Sequence, residues 1–167
     1  MILIGGGSRS GKSAAALRML RAAGPRRAFI ATAQAFDDEM TDRIARHRAE
    51  RDPDIVTFEE PLDVAARIRA EGAHFDAIVV DCLTLWLSNL MLADRPSIAD
   101  ECRELVQSAA EPDAKVILVT NEIGCGIVPE NALARRFRDE AGRLNQMAAE
   151  HAEEVHWMIF GIGMRIK

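Results

Sequence analysis

The 167-residue sequence predicts a doubly wound α/β domain, with a mostly parallel sheet and helices on both faces. Two observations predict it. Short runs of branched apolar residues alternate with stretches of helical periodicity, and a glycine-rich loop follows the first such run. Strands are expected at residues 1–4 (MILI), 27–31 (RAFIA), 76–81 (DAIVVD), 115–120 (KVILVT) and 155–160 (VHWMIF), because near-continuous apolar runs suit strands covered on both faces. Helices are expected at residues 12–23, 37–51, 61–71, 83–92, 97–110 and 130–152. In the last of these, Leu133, Phe137, Ala141, Leu144 and Ala148 recur at helical spacing on one face, and Pro129 stands just ahead of the start. Parallel strands joined through helices require right-handed crossovers. No repeat, low-complexity tract or linker divides the chain, so residues 1–167 are expected to form a single domain.

Composition narrows the class of function. The chain is 49% hydrophobic and 28% charged, with 26 acidic residues against 21 Lys plus Arg and a formal net charge of -5. A chain this long buries roughly 70% of its extended surface, enough for a core without staples. The mild acidity argues against nucleic acid or an anionic membrane as partner, since both demand a cation surplus. Cys82, Cys102 and Cys125 are odd in number and form no CxxC pair, which fits a reducing cytoplasm and no structural zinc. The start, MILIGGG, lacks the basic flank and long apolar run of a signal peptide, and no stretch reaches the length of a membrane span.

Gly6, Gly7, Ser8, Arg9, Ser10, Gly11, Lys12 and Ser13 fit the phosphate-binding pattern GxxxxGK followed by Ser or Thr, between the first strand and the first helix. Glycines allow positive φ and turn backbone amides inward around a phosphate. The helix start adds the positive end of its dipole, Lys12 a mobile full charge, and the Ser13 hydroxyl a ligand for Mg2+. The pattern also occurs as a plain strand-to-helix turn, but its strand–loop–helix context favours a P-loop NTPase-like domain. Asp81 ends the apolar run from Ala77 and is placed to hold the same Mg2+, unless it merely caps the helix that follows.

His47 lies among Arg43, Arg46, Arg48 and Arg51, and on a helix Arg43 and Arg51 stand one turn to either side. Cationic neighbours disfavour the imidazolium, and the neutral ring is the form that attacks phosphorus. The guanidiniums could hold a triphosphate in line. From residue pattern alone, a solvated helix face with an incidental His remains open. His74, His151 and His156 read as structural. Gly124 and Gly126 make the loop after the fourth run flexible, with Asn121 and Glu122 at the sheet's ligand edge.

Four stretches, GGGSRSGKS at 5–13, HRAER at 47–51, DCLTLWLSNL at 81–90, and NEIGCGIVPEN through FRDEAGRLNQ at 121–146, together resemble one family. It is the bifunctional adenosylcobinamide kinase and adenosylcobinamide-phosphate guanylyltransferase family of cobalamin biosynthesis. The resemblance implies that His47 accepts GMP from GTP as a covalent guanylyl-enzyme and that Lys12 acts in catalysis. It further implies that Ala31, Thr32, Ala33, Arg48, Ala49, Glu50, Arg51, Glu59 and Asp81 join the loop in binding nucleotide, with Ser13 and Asp81 on the metal. ATP or GTP would phosphorylate adenosylcobinamide, and the loop from Asn121 would approach the corrinoid or a subunit interface. A homo-oligomer, in this family a trimer, is implied as well. The sequence departs from the family where Gly5 replaces a Thr and near Ile55, where a Trp is usual; both bear on base packing more than on phosphoryl chemistry. The alternatives are a small-molecule kinase without guanylyl transfer and a nucleotide-dependent switch ATPase.

Overall fold

The computed structural model describes residues 1–49 and 51–167; of Arg43 only the backbone is described. The elements are β1 (Ile2–Gly6), α1 (Lys12–Ala23), β2 (Arg27–Ala31), α2 (Asp38–Ala49), β3 (Val56–Glu59), α3 (Val64–Glu71), β4 (Ala77–Asp81), α4 (Leu83–Leu92), α5 (Ile98–Ala110), β5 (Lys115–Val119), α6 (Ala132–His151), β6 (Glu154–Ile159) and β7 (Ile162–Arg165). The strands form one sheet in the order β3-β2-β4-β5-β1-β6-β7. Every pairing is parallel except that of β6 with β7.

The expected doubly wound α/β architecture is found, with the two faces unequally covered. Alternate residues of the central strands feed two cores. On one face Leu3, Ile78, Val80 and Leu118 meet α3, α4, α5 and α6. On the other, Ile4, Phe29, Val79 and Ile117 meet α1, whose Ala15 and Ala16 let the helix lie close to the sheet. Alanine-rich α1 has high helix propensity and stops at Gly24, where φ is 152° and Pro25 follows. By contrast α2 carries no buried residue among its described side chains.

Two strands go beyond the sequence expectation. β3 is a four-residue strand at the sheet edge, too short and too exposed to show a period. β7 is exposed along its whole length and is joined to β6 by a tight turn in which Phe160 and Gly161 have φ of 53° and 81°. Glycine at the second turn position suits such a hairpin.

Buried polar groups tie the elements together at the carboxyl end of the sheet. Asn89 of α4, 5% exposed, donates through Nδ2 to the carbonyls of Thr32 at 2.8 Å and Pro61 at 3.0 Å. Thr32, fully buried, accepts from the Cys82 amide and donates to the Cys82 carbonyl, both at 2.9 Å. Trp86 donates its indole N–H to the Leu62 carbonyl at 2.8 Å. Leaving buried carbonyls unpaired is costly, so Asn89→Ala should lower the unfolding free energy by about 1–3 kcal/mol in urea melts, with no change in secondary structure by circular dichroism.

Candidate active site

The loop between β1 and α1 is shaped by its backbone. Gly6 has φ 151°, and a Cβ there would stand 2.6 Å from the Met158 carbonyl and 2.8 Å from Ser10 Oγ, so no side chain fits. Gly11 has φ 95° and a Cβ would come within 3.1 Å of Gly161 Cα. The turn of the β6–β7 hairpin thus lies against the loop, and the Gly161 amide donates to the Ser10 carbonyl at 3.0 Å. Arg9 also takes a left-handed conformation, at φ 55°.

Side-chain caps open α5 and α6 but not α1, α3 or α4, and of these three α1 is the one that follows a glycine loop. Ser97 caps α5 by accepting from the Asp100 amide, and Asn131 caps α6 by accepting from the Leu133 and Ala134 amides. At α1 the N-cap is Gly11, with no side-chain cap and no acidic residue in the first turn. Uncapped amides and a positive dipole end make an anion site. Buried Lys12 folds over the same loop and donates to the Gly7 carbonyl at 2.5 Å and to Ser10 Oγ at 3.4 Å.

Ser13, one residue into α1, donates its hydroxyl to Asp81 Oδ2 at 2.8 Å, joining the loop to the carboxyl end of β4. Burial pushes the Asp81 carboxyl above its ordinary range, against the Ser13 hydrogen bond and the nearby cations of Arg51 and Lys12. Hydroxyl and carboxylate oxygens meeting beside a phosphate cradle suit Mg2+, which takes few protein ligands and keeps water and substrate oxygens. Among the described residues no group of three or more His, Cys, Asp or Glu could hold a metal. Two protein oxygens plus phosphate therefore fit this site better than an all-protein cage.

Past the end of α2, Arg51 places its guanidinium carbon 3.9 Å from the Phe29 ring centroid, a cation–π contact on the α1 face. Burial pushes its pKa down, with Asp81 opposing that shift. Its Nε is buried without a hydrogen-bond partner among the described residues. Arg48 meets Glu59 at 3.3 Å, both largely exposed, a contact that orients more than it stabilises. His47 is half-buried on α2. The cationic segment, Glu59 and Asp81 are thus drawn to one edge, where β2, β3 and β4 end in register at Ala31, Glu59 and Asp81.

Not every expected residue faces that edge. Thr32 also supports the edge from beneath, because its hydroxyl both donates to and accepts from Cys82 and its carbonyl accepts from Asn89. Ala33 is half-buried beside it, Ala49 is exposed, and Glu50 lies outside the described residues. Asn89 lies in the stretch 81–90 that carries the family resemblance, but its bonds to Thr32 and Pro61 are visible only in the fold. Another unforeseen set lies beside Asp81, where Thr84 Oγ1 accepts from the Asn121 amide at 2.9 Å and Thr120 donates to Asn145 at 2.7 Å.

A strand, a glycine loop folded over its own lysine, an uncapped helix and a strand-end aspartate define a P-loop nucleotide-binding fold. Solved structures agree: RadB recombinase has a TM-score of 0.54 at 16% identity, covering 93% of this chain and 72% of that one. A solved ATPase domain has a TM-score of 0.50 at 14% identity, covering 93% of this chain and 68% of that one. The chain belongs to the cobinamide kinase / cobinamide phosphate guanyltransferase family, whose model matches residues 2–166. It is 48% identical over 166 residues to the bifunctional adenosylcobalamin biosynthesis protein CobP of Pseudomonas aeruginosa, covering 99% of this chain and 96% of that protein. To the bifunctional adenosylcobalamin biosynthesis protein CobU of Salmonella typhimurium it is 43% identical over 181 residues, covering 100% and 99%. It is accordingly an enzyme of cobalamin biosynthesis with kinase and guanyltransferase activities. Among the described residues no helix is long and apolar enough to cross a membrane.

A carboxyl whose folded pKa is raised favours the proton in the fold, so its contribution to stability is present at low pH and is lost as pH rises through the folded pKa. With nucleotide and divalent metal withheld, Asp81→Asn should therefore melt above the wild type at neutral pH, and the gap should close at acid pH. The same variant should lose about 10²–10³ in kinase rate with nucleotide and metal present.

Proposed function

We propose that the edge at Asp81 carries out both reactions on one nucleotide site. Backbone amides of Gly6 to Ser13 hold the phosphates of ATP or GTP, and Lys12 exchanges its hold on the Gly7 carbonyl for phosphate oxygens. Ser13 and Asp81 would hold Mg2+, which neutralises charge on the transferring phosphoryl group when bound. In the kinase reaction the terminal hydroxyl of adenosylcobinamide attacks the γ phosphorus, the bond to the β-phosphate oxygen breaks, and the hydroxyl proton passes to solvent. In a loose transition state alignment matters more than deprotonation.

In the guanylyl reaction the neutral imidazole of His47 attacks the α phosphorus of GTP, a nitrogen–phosphorus bond forms, and pyrophosphate leaves. The phosphate of adenosylcobinamide phosphate then displaces the imidazole to give adenosylcobinamide-GDP. Arg51, braced on Phe29, offers its buried Nε to a phosphate oxygen, and Arg48 and Glu59 flank the nucleotide. The observation that carries this reading is geometric: Ser13 of the phosphate loop is hydrogen-bonded to Asp81 at 2.8 Å, while Arg51, four residues beyond His47, is stacked on Phe29 of the neighbouring strand β2. Ala31 and Ala33 border the nucleotide at the end of β2. Magnesium dependence, a homotrimer and a cytoplasmic setting belong to the same proposal and rest on family likeness.

Incubation with GTP labelled in its α phosphate, followed by denaturation, should leave acid-labile, base-stable label on the wild type and none on His47→Ala. Absence of label from both proteins would reduce the function to a kinase.

A further inference from the structure

A groove of about 620 Å³ runs along the sheet face opposite α1, between α6 and the strands β1 and β6. Its floor is apolar, made by Leu3, Val155 and the half-buried indole of Trp157. At its mouth stand Gly5 and Glu122, and the Glu122 amide donates to the Gly6 carbonyl at 3.1 Å. The mouth therefore opens beside the first residue of the phosphate loop. A Cβ on Gly5 would sit 3.4 Å from the Trp157 ring, in ordinary contact with the indole.

The α6 wall of the groove includes Gly142, inside a 20-residue helix. Glycine in a helix interior lowers stability relative to alanine, and is retained where something must approach the backbone. Nothing in the chain approaches it: a Cβ on Gly142 would have no heavy atom within 4 Å. The room is thus kept for a body from outside. Arg138 and Arg143 line the same wall, the first 3.9 Å from the Asp139 carboxylate and the second donating to Glu140 at 2.8 Å.

We propose that this groove seats the corrin ring of the cobinamide acceptor, with its alcohol arm reaching through the mouth to the phosphate loop. A bare stretch of helix and an indole suit a broad flat macrocycle, and the guanidinium donors of Arg138 and Arg143 suit the carbonyls of its peripheral amides. The assignment names the acceptor site of the function proposed above and rests on that reading.

The test is equilibrium dialysis of the full chain against cobinamide, beside thermal melts and mass determination. Gly142→Ala should raise the melting temperature by a few degrees and weaken cobinamide binding. Gly142→Leu should weaken it by at least about tenfold, with GTP affinity and oligomeric mass unchanged. Unaltered cobinamide affinity in Gly142→Leu overturns the proposal, and so does a change of oligomeric mass, which would make the groove a subunit contact. Wild-type labelling by GTP is scored separately: cobinamide binding without label defeats the guanylyl route and leaves the groove standing, while label with unaltered binding in Gly142→Leu does the reverse.

Discussion

The active edge depends on one arrangement, the first turn of α1 left without a side-chain cap. Protein helices ordinarily satisfy their leading amides from within, as Ser97 and Asn131 do for α5 and α6. At α1 the glycine loop leaves them turned toward a concavity, across which Lys12 donates to the Gly7 carbonyl while Ser13 donates to Asp81. Those contacts are made with groups that a nucleotide and its cation can replace.

Its support comes from the layer beneath. Asp81 is followed directly by Cys82, whose amide and carbonyl are both held by Thr32, whose own carbonyl is held by Asn89. This line of buried hydrogen bonds crosses β2, β4 and α4 and fixes where the aspartate leaves the sheet. The His47 segment is held differently. With no buried residue among the described side chains of α2, its firm attachment is the Arg51–Phe29 contact. One half of the site is built into the core, while the other is tied to the surface by side chains, Arg51 on Phe29, Arg48 on Glu59 and Asp52 accepting from Arg21.

Legibility in the sequence follows locality. The expected helices at residues 12–23 and 83–92 coincide with α1 and α4, because their boundaries are written in adjacent glycines, prolines and apolar residues. The phosphate loop and Asp81 can be read for the same reason, each being a short contiguous pattern. Edge strands escape because β3 and β7 bury too little to impose a period. Thr32 is legible as the residue after β2, but only three-dimensional contacts reveal that its hydroxyl turns to Cys82, 50 residues away. Asn89 and Gly142 both stand in stretches that carry the family resemblance, but the partners of the first, 57 and 28 residues distant, and the open space beside the second are visible only in three dimensions.

The hairpin turn against the phosphate loop has a consequence for biogenesis. Gly6 is fitted to the carbonyl of Met158, and Gly11 to Gly161. The cradle is therefore encoded at the front of the message but finished only when the rear strands arrive. During synthesis the emerging polypeptide can wind its first helix early, yet the mould around the phosphates lacks its back wall until translation has passed the hairpin, which makes competence for nucleotide a late event in the life of each nascent chain.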